Sequence, residues 1–387
     1  MKSTKLISRI ILGIIFTFSG FVKAVDPLGS AYKFSDYFTD AFGVPELSSI
    51  SLTLAIILSA FEFLVGICLL LNIKPRLASL GALIFMAIFT PLTLYIAIAS
   101  PVEDCGCFGD AVKLSNWETF LKNIILLPLS VFLFNQSKSQ YSTFKGKTDW
   151  ILTTAFFALV LYFQYYNLRH LPVIDFMPYK VGTYIPDKMK MPAGEKQDSF
   201  AVFYTMKHLE TGKIMEVNDG EYLQKEIWKD TLWQITETSE PKLIKKGYKP
   251  PIYNFKAYPV DLTLSNQQST DDKIPTLLAD EKFSFFIISY DFAKSSRKAF
   301  DNMADLINYA YTKNIEAHLL TANQSDLNKY AMRLSFPAKF YNSDPITLKT
   351  IIRSNPGLLL LKNGTIIAKW HYNDIPSIKK FDKIISK

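Results

Sequence analysis

Cysteine is scarce and unevenly placed in this chain. There are three in 387 residues, Cys68, Cys105 and Cys107, and none beyond residue 107. The C-terminal part therefore has no thiol with which to staple itself, and its stability must come from an apolar core. Histidine is sparse as well, at four. The chain has no P-loop, no G-x-G-x-x-G at a strand–helix junction, no H-E-x-x-H and no evident nucleophile–histidine–acid set, which removes the common nucleotide-binding, zinc-protease and hydrolase chemistries. Internal repeats are absent, and so are low-complexity tracts beyond short linkers. The net charge of +8 is spread along the chain rather than gathered in one patch, which argues against nucleic-acid recognition.

What is abundant is long apolar sequence. Mean hydropathy is only +0.12, but that average hides a division near residue 170. Before it lie five runs long enough to cross a hydrocarbon core: about Leu6–Val22, Ile50–Leu71, Leu77–Ala99, Trp117–Leu133 and Trp150–Tyr166. Each is expected to be helical, because lipid offers no partner to a bare peptide group. A cleaved signal peptide in place of the first run is disfavoured by four further spans and by Val22-Lys23-Ala24, a poor cleavage site. Lys2, Lys5 and Arg9, then Lys74 and Arg76, then Lys138, Lys145 and Lys147 fall in alternate connections, which predicts those ends to be cytoplasmic. The other connections are acidic, with Asp26, Asp36, Asp40 and Glu46 in one and Glu103, Asp104 and Asp110 in the next. An odd number of spans then carries the C-terminal domain outside, to the periplasm of a bacterium.

Polar residues inside spans are costly and need partners. Glu62 lies mid-span and is expected to face the bundle, with Ser19, Lys23 and Thr90 as candidate partners. Two readings stand: a ligand or proton site, or a polar contact that glues helices together. Lys23, at the outer end of its span, is expected to snorkel to the interface. Pro91 and Pro128 either kink their helices around a cavity or merely shape the packing.

The sharpest motif is Glu103-Asp104-Cys105-Gly106-Cys107-Phe108-Gly109-Asp110. It precedes a span whose start carries Ser115 and Glu118 at capping-box spacing, so the cysteines should sit at the membrane surface. A Cys-Gly-Cys pair can close a tight disulfide, either as a static clip or as an exchanging centre. The adjoining acids are expected to raise a thiol pKa. Soft-metal binding would need further ligands, and only His170 lies near that surface. Cys68 falls toward the opposite end of its span and reads as a small buried apolar residue.

These residues carry a resemblance. Arg9, Gly13, Phe16-Thr17-Phe18-Ser19-Gly20-Phe21-Val22-Lys23, Glu62 and Gly66 resemble the DoxX superfamily. Cys105-Gly106-Cys107-Phe108-Gly109 is similar to its MauE branch, the methylamine-utilisation membrane proteins, over about residues 1–135. The whole chain looks like the longer DoxX-type proteins of Bacteroidetes. The MauE resemblance implies help in forming the disulfides of a periplasmic dehydrogenase. The bundle also resembles the quinone-linked disulfide generators DsbB and vitamin K epoxide reductase, which carry C-x-x-C and a second shuttle pair. This chain has C-x-C and no second pair.

Beyond residue 170 the chain reads as soluble. Residues 171–199 form a Pro- and Lys-containing linker leading away from the membrane, and Phe200–Tyr204 alternates as strands do. Then come a strand at Phe283–Ser289, a helix at Ser295–Thr312, a strand at Ile315–Leu320, a helix at Leu327–Leu334, a strand at Ala338–Tyr341 and a helix at Asp344–Arg353. Gly357–Lys362 and Thr365–Trp370 flank Asn363-Gly364, a strong hairpin signal. A β-α-β unit, a helix and a hairpin predict an α/β fold. Residues 251–387 resemble the periplasmic thioredoxin-like proteins of the TlpA type. Asn355-Pro356 stands where that family has its cis-proline, and Ala293 and Ser296 stand where it has its two cysteines. The resemblance implies a domain without thiol chemistry that keeps a partner-binding groove near Pro356.

The expected organisation is a four-helix membrane domain over 1–135, a loop and fifth span over 136–170, a segment without a clear assignment over 171–250, and the thioredoxin-like domain over 251–387. The expected function is that of a membrane-anchored accessory factor for periplasmic thiol–disulfide chemistry. Cys105 and Cys107 would be the reactive or disulfide-bonded pair, Glu62 and Ser19 a cofactor-binding site, Pro356 a partner contact, and a quinone the oxidant by analogy. Its partners would be a periplasmic protein client or membrane complex, and lipid. The alternative is a non-enzymatic scaffold in which the C-x-C is a structural clip, with a lipid or small-molecule carrier as a third class.

Overall fold

The computed structural model describes residues 2–102, 104–137, 141–144, 146–196, 198–245, 247–260, 269–295, 297–322 and 334–386. The helix expected at Leu327–Leu334 lies, but for Leu334, outside the described residues, as do Glu103, Lys138, Lys145 and Ser296.

Five helices are long and apolar enough to span a membrane: α1 (Lys2–Val25), α3 (Ser51–Leu71), α4 (Pro75–Ala99), α5 (Asn116–Gln136) and α6 (Lys147–Arg169). Their outward faces carry Ile14, Ile84, Ile98, Ile125 and Leu159, all exposed, so lipid contact is their natural environment. Leu12, Phe16, Leu69, Met86, Leu126 and Leu133 pack inward. α1 and α3 touch through glycine. A Cβ on Gly66 would stand 2.2 Å from the Thr17 nitrogen, and one on Gly20 would stand 2.3 Å from the Phe63 nitrogen. Without a hydrophobic drive between helices in lipid, such backbone proximity is a principal source of adhesion. Side-chain bonds such as Ser59 to Gln164 (3.0 Å) and Asn123 to Thr93 (3.1 Å) add to it. Pro91 and Pro128 lie within α4 and α5, and both helices continue through them. The capping box is present: Ser115 accepts from the Glu118 amide while the Glu118 carboxylate takes the Ser115 amide.

The first acidic connection is more ordered than its composition indicates. Asp26 caps α2 (Pro27–Asp36) by accepting from the Gly29 amide at 2.8 Å, and Pro27 occupies the first turn. A π turn, Tyr37–Ala41, and a 3-10 turn, Pro45–Ile50, follow.

Residues Thr183–Phe255 form a compact unit of their own. It begins with α7 (Ile185–Met189). β2 (Phe203–His208) is flanked by β3 (Ile214–Asn218) and β4 (Trp233–Thr238) in an antiparallel sheet, and β1 (Ser199–Ala201) pairs with β5 (Lys242–Lys245). The apolar stretch from Phe200 thus belongs to two strands with different partners. α8 (Asp219–Gln224) is capped by Asn218.

The remaining C-terminal residues, 256–387, belong to one compact unit with the bundle. β6 (Tyr258–Pro259) and α9 (Ile274–Leu278) lead into β7 (Phe283–Ser289), α10 (Arg297–Thr312), β8 (Glu316–Thr321), β9 (Lys339–Asn342), α11 (Pro345–Ile351), β10 (Gly357–Lys362), β11 (Thr365–His371) and α12 (Ile378–Ile385). The sheet order is β11-β10-β7-β8-β9-β6, with β7, β8 and β9 parallel and the other pairings antiparallel. Central β7 is buried from Ser284 to Ser289, which is why it reads as an unbroken apolar run rather than an alternating one. Phe285, Ile287, Leu319 and Leu358 pack against Met303, Ile307 and Phe381 of the helices. Asn363 and Gly364 take φ of +45° and +66°, as the two-residue hairpin requires.

Residues 171–182 do not lead away. Buried Tyr179 and Met177 anchor them, the Gly182 amide donates to the Ile366 carbonyl at 2.7 Å, and Lys369 donates to Asp175 (2.7 Å) and to the Tyr179 carbonyl (2.9 Å). This strap ties α6 directly to the sheet.

Candidate functional site

The C-x-C loop lies between α4 and α5, at the end of the bundle covered by α2. Gly106, at φ +63°, turns the chain so that the two sulfurs approach to 3.2 Å. Both are thiols. The Cys105 carbonyl accepts from the Tyr37 hydroxyl at 2.5 Å, and the Cys107 carbonyl accepts from the Ser19 hydroxyl at 2.6 Å. The loop is thus held by α1 on one side and by the segment after α2 on the other. Lys33 of α2 reaches Asp104 at 3.0 Å, whose other oxygen accepts from the Gly106 amide. Cys105 is buried; Cys107 is half-buried.

Below the loop a partly open cavity runs into the bundle. Cys105, Cys107, Ser19, Lys23 and Glu62 form polar parts of its wall, and Phe16, Phe85, Phe89 and Leu126 form apolar parts. Lys23 does not snorkel outward. Its ammonium donates to Glu62 at 2.7 Å and to Ser19 at 3.2 Å, so the carboxylate within the bundle has its counter-charge there. Of the three expected partners of Glu62, Lys23 bonds it directly. Ser19 joins through Lys23, and the Thr90 hydroxyl is buried without a hydrogen-bond partner among the described residues. Cys68 sits in the bundle core with Leu12 and Leu69, well apart from the pair.

The two thiols are driven apart in acidity. The Cys107 thiol is lowered to about 6: Cys105 donates a hydrogen bond to it, and Lys122 and Lys23 favour its anion against the opposing effects of burial and Glu62. That same hydrogen bond and burial push the Cys105 thiol up. The expectation that the adjoining acids would raise a thiol pKa is therefore not met at Cys107. Asp104 is paired with Lys33, Asp110 lies 3.4 Å from Arg353, and Glu103 lies outside the described residues. Lys122 is aimed at the loop by the Phe108 ring, whose centre is 4.5 Å from its ammonium. Among the described residues no group of three His, Cys, Asp or Glu side chains could hold a metal ion.

The C-terminal sheet domain is seated on α2. Arg353 Nε donates to both Asp26 oxygens, at 3.0 and 2.8 Å, with side-chain exposures of 7% and 12%. Nη1 donates to the Lys349 carbonyl, and Nη2 contacts the Met177 sulfur at 3.4 Å. Burial alone would lower the Arg353 pKa, but Asp26 and Asp110 carry it above the ordinary value. Gly29 makes room for the pair: a Cβ there would lie 2.4 Å from Asp26 Oδ2 and 2.9 Å from Arg353 Nη2. Tyr32 lies under Arg353 and Lys349 and edge-on to Tyr290. His170 bonds Asp374 at 2.6 Å, and Asn373 donates to the Arg169 carbonyl at 2.8 Å. His170 therefore serves the seat of the domain rather than the cysteines.

Pro356 follows a cis bond and is buried, and its loop presents Arg353 to α2. Nearby, Arg353 and Tyr290 meet Asp26 and Tyr32 of the bundle end. Ala293 is exposed, so that loop offers no thiol at this position. Sequence reasoning missed Lys33, Lys122 and the Arg353–Asp26–Asp110 cluster. Asp26-Pro27 carried a readable cap signal, but nothing local pairs Asp26 with a residue 327 positions away.

No curated protein and no solved structure matches this chain. Residues 1–136 match the family model of the methylamine utilisation protein MauE. With the apolar helices that fill this stretch, residues 1–136 are a MauE-like membrane domain.

Proposed function

We propose that Cys105 and Cys107 form a thiol–disulfide centre at the membrane surface, and that the chain is a membrane-anchored accessory factor for envelope redox chemistry. The observation that carries this reading is a pair of sulfurs 3.2 Å apart at the mouth of a bundle cavity, one of them favoured as the thiolate. Closing the S–S bond removes two electrons from the pair and releases whatever thiol protons it holds. A quinone-class acceptor bound in the cavity would supply the two-electron sink. The lining supports this reading: aromatic and aliphatic side chains suit a ring, and Lys23, Ser19 and Glu62 offer a donor and acceptors at its polar side. Basic residues at the opposite ends of the spans, Lys5, Lys74 and Arg76, support an orientation with the N-terminus cytoplasmic and the cysteine end periplasmic, in a bacterial inner membrane.

In this reading residues 256–387 form a thioredoxin-like docking module without thiol chemistry. The β7-α10-β8 crossover and the β10–β11 hairpin beside β7 support that assignment. Differential alkylation of Cys105 and Cys107 in intact cells tests the function. A pair that cycles, and a C107S variant that accumulates mixed disulfides, are the expected results. A pair that stays oxidised and traps nothing would refute the exchange centre. The second reading, a scaffold with a structural clip, is favoured by one observation: Cys105 is buried beneath Tyr37, under the α2 segment to which the outer domain is fixed.

A further inference from the structure

The two sulfurs of the loop do not occupy equivalent surroundings. Cys107 faces cations from two helices, Lys23 on α1 and Lys122 on α5, together with Glu62 on α3 and Cys105 in its own loop. Lys23 is committed to Glu62 at 2.7 Å, so its field at Cys107 is partly cancelled. Lys122 rests on Phe108, and among the described residues no carboxylate is paired with it, so its charge acts on the loop with less cancellation. Cys105 lines the same cavity but is the more deeply buried of the two, packed with Tyr37 and Ile96, and its carbonyl is fixed by the Tyr37 hydroxyl.

Resting on the proposed thiol–disulfide reading, we propose that the sulfurs have fixed and different jobs: Cys107 is the leaving and electron-delivering sulfur, sharing the cavity wall with Lys122 and Lys23, and Cys105 is the sulfur that bonds the client. In the oxidised centre a client thiolate attacks Cys105. The Cys105–Cys107 bond breaks, a client–Cys105 disulfide forms, and Cys107 departs as a thiolate beside the two ammonium groups. The sulfur whose thiolate is better stabilised is the better leaving group, which sets the direction of attack. The client's second thiolate then attacks its own sulfur in the mixed disulfide, and Cys105 leaves and takes up a proton. The client is oxidised by two electrons, and the reduced pair passes those two electrons, with the Cys105 proton and a second proton from solvent, to the quinone-class acceptor in the cavity. Lys122 is a positioning residue in this scheme, acting through Cys107. Cys105 lies under the Tyr37 segment, so client exchange requires that segment to lift.

Two measurements on the full-length protein in membranes decide the assignment. The first is the pH profile of iodoacetamide alkylation in single-cysteine variants. In C105S, where a hydroxyl can keep the hydrogen bond that the Cys105 thiol donates, Cys107 should titrate below the free-thiol value of about 8.5. Adding K122M should raise that midpoint by about one unit, and K122R should leave it low. A purely structural role for Lys122 would move expression or stability but not this midpoint. A midpoint near that of a free thiol, unmoved by K122M, overturns the cation assignment. The second is trapping: C107S should accumulate client mixed disulfides and C105S should not, and the reverse pattern overturns the division of labour. Trapping by neither variant, with the low midpoint retained, would instead refute the thiol-exchange reading, so the two failures are distinguishable.

Discussion

Replacing Arg353 with methionine should release the C-terminal domain from α2 without unfolding its sheet. The side chains of Arg353 and Asp26 are 7% and 12% exposed, so solvent screens their interaction little. Removing one partner of a buried pair costs about 3–5 kcal/mol, because the other charge is left without compensation. Asp26 would keep one bond, from the Gly29 amide at 2.8 Å, which places the expected cost near the lower end. About 3 kcal/mol corresponds to a factor of about 150 in the docking equilibrium. Hydrogen exchange of full-length protein in detergent reads that equilibrium residue by residue. In R353M, amides of residues 29–36 should lose protection by about 100-fold while those of β7 and β8 keep theirs. Adding D26N should restore part of the loss, since the orphaned carboxylate is then gone. A loss below about five-fold, equivalent to less than about 1 kcal/mol, would refute the claim that this pair holds the domain.

Two further outcomes are expected. Gly66→Val should lower bundle stability in detergent by about 2–3 kcal/mol, because its first side-chain carbon meets the α1 backbone at Thr17. Gly81→Ala meets only a Val65 methyl and should cost under about 1 kcal/mol; equal losses would contradict the close-approach argument. His318 and His371 are buried, and burial lowers each from 6.5 to about 4. Between those values the unfolded chain binds more protons. Their contribution to stability is therefore complete above pH 6.5 and declines as pH falls toward 4, by on the order of 3 kcal/mol for each histidine. Denaturation midpoints across that range should fall, and H318F should flatten about half of the slope. An unchanged slope in H318F would show that His318 is not one of the groups responsible.

Five candidate spans and most of the C-terminal sheet's elements were legible because each follows from a repeating local cause. Twenty apolar residues must be helical in lipid, β7 is buried on both faces and reads as continuous, and Asn363-Gly364 supplies two left-handed residues in a row. The site was legible only in part. Cys105 and Cys107 announce themselves by spacing, and Glu62 by its cost in a span. Lys122 does not, since a lysine near a helix start at the interface looks like any other. Lys23 was misread because the choice between interface and carboxylate depends on where α3 places Glu62. The acids beside the cysteines misled for the same reason: their charge is met by Lys33 and Arg353, which proximity in sequence does not reveal.

The sequence by itself determined that five helices can cross a membrane, that a tight cysteine pair lies at one end of them, and that an α/β domain follows. These are consequences of local composition and periodicity, which each segment satisfies alone. Only the tertiary structure decided which sulfur is favoured as a thiolate, which charge answers Glu62, and that the Arg353 loop rests on α2. Each of these depends on distances between residues far apart in the chain. In a medium of low polarity a displacement of a few ångströms decides whether a charge is paired, so such pairings follow from the packing of whole helices rather than from any one of them.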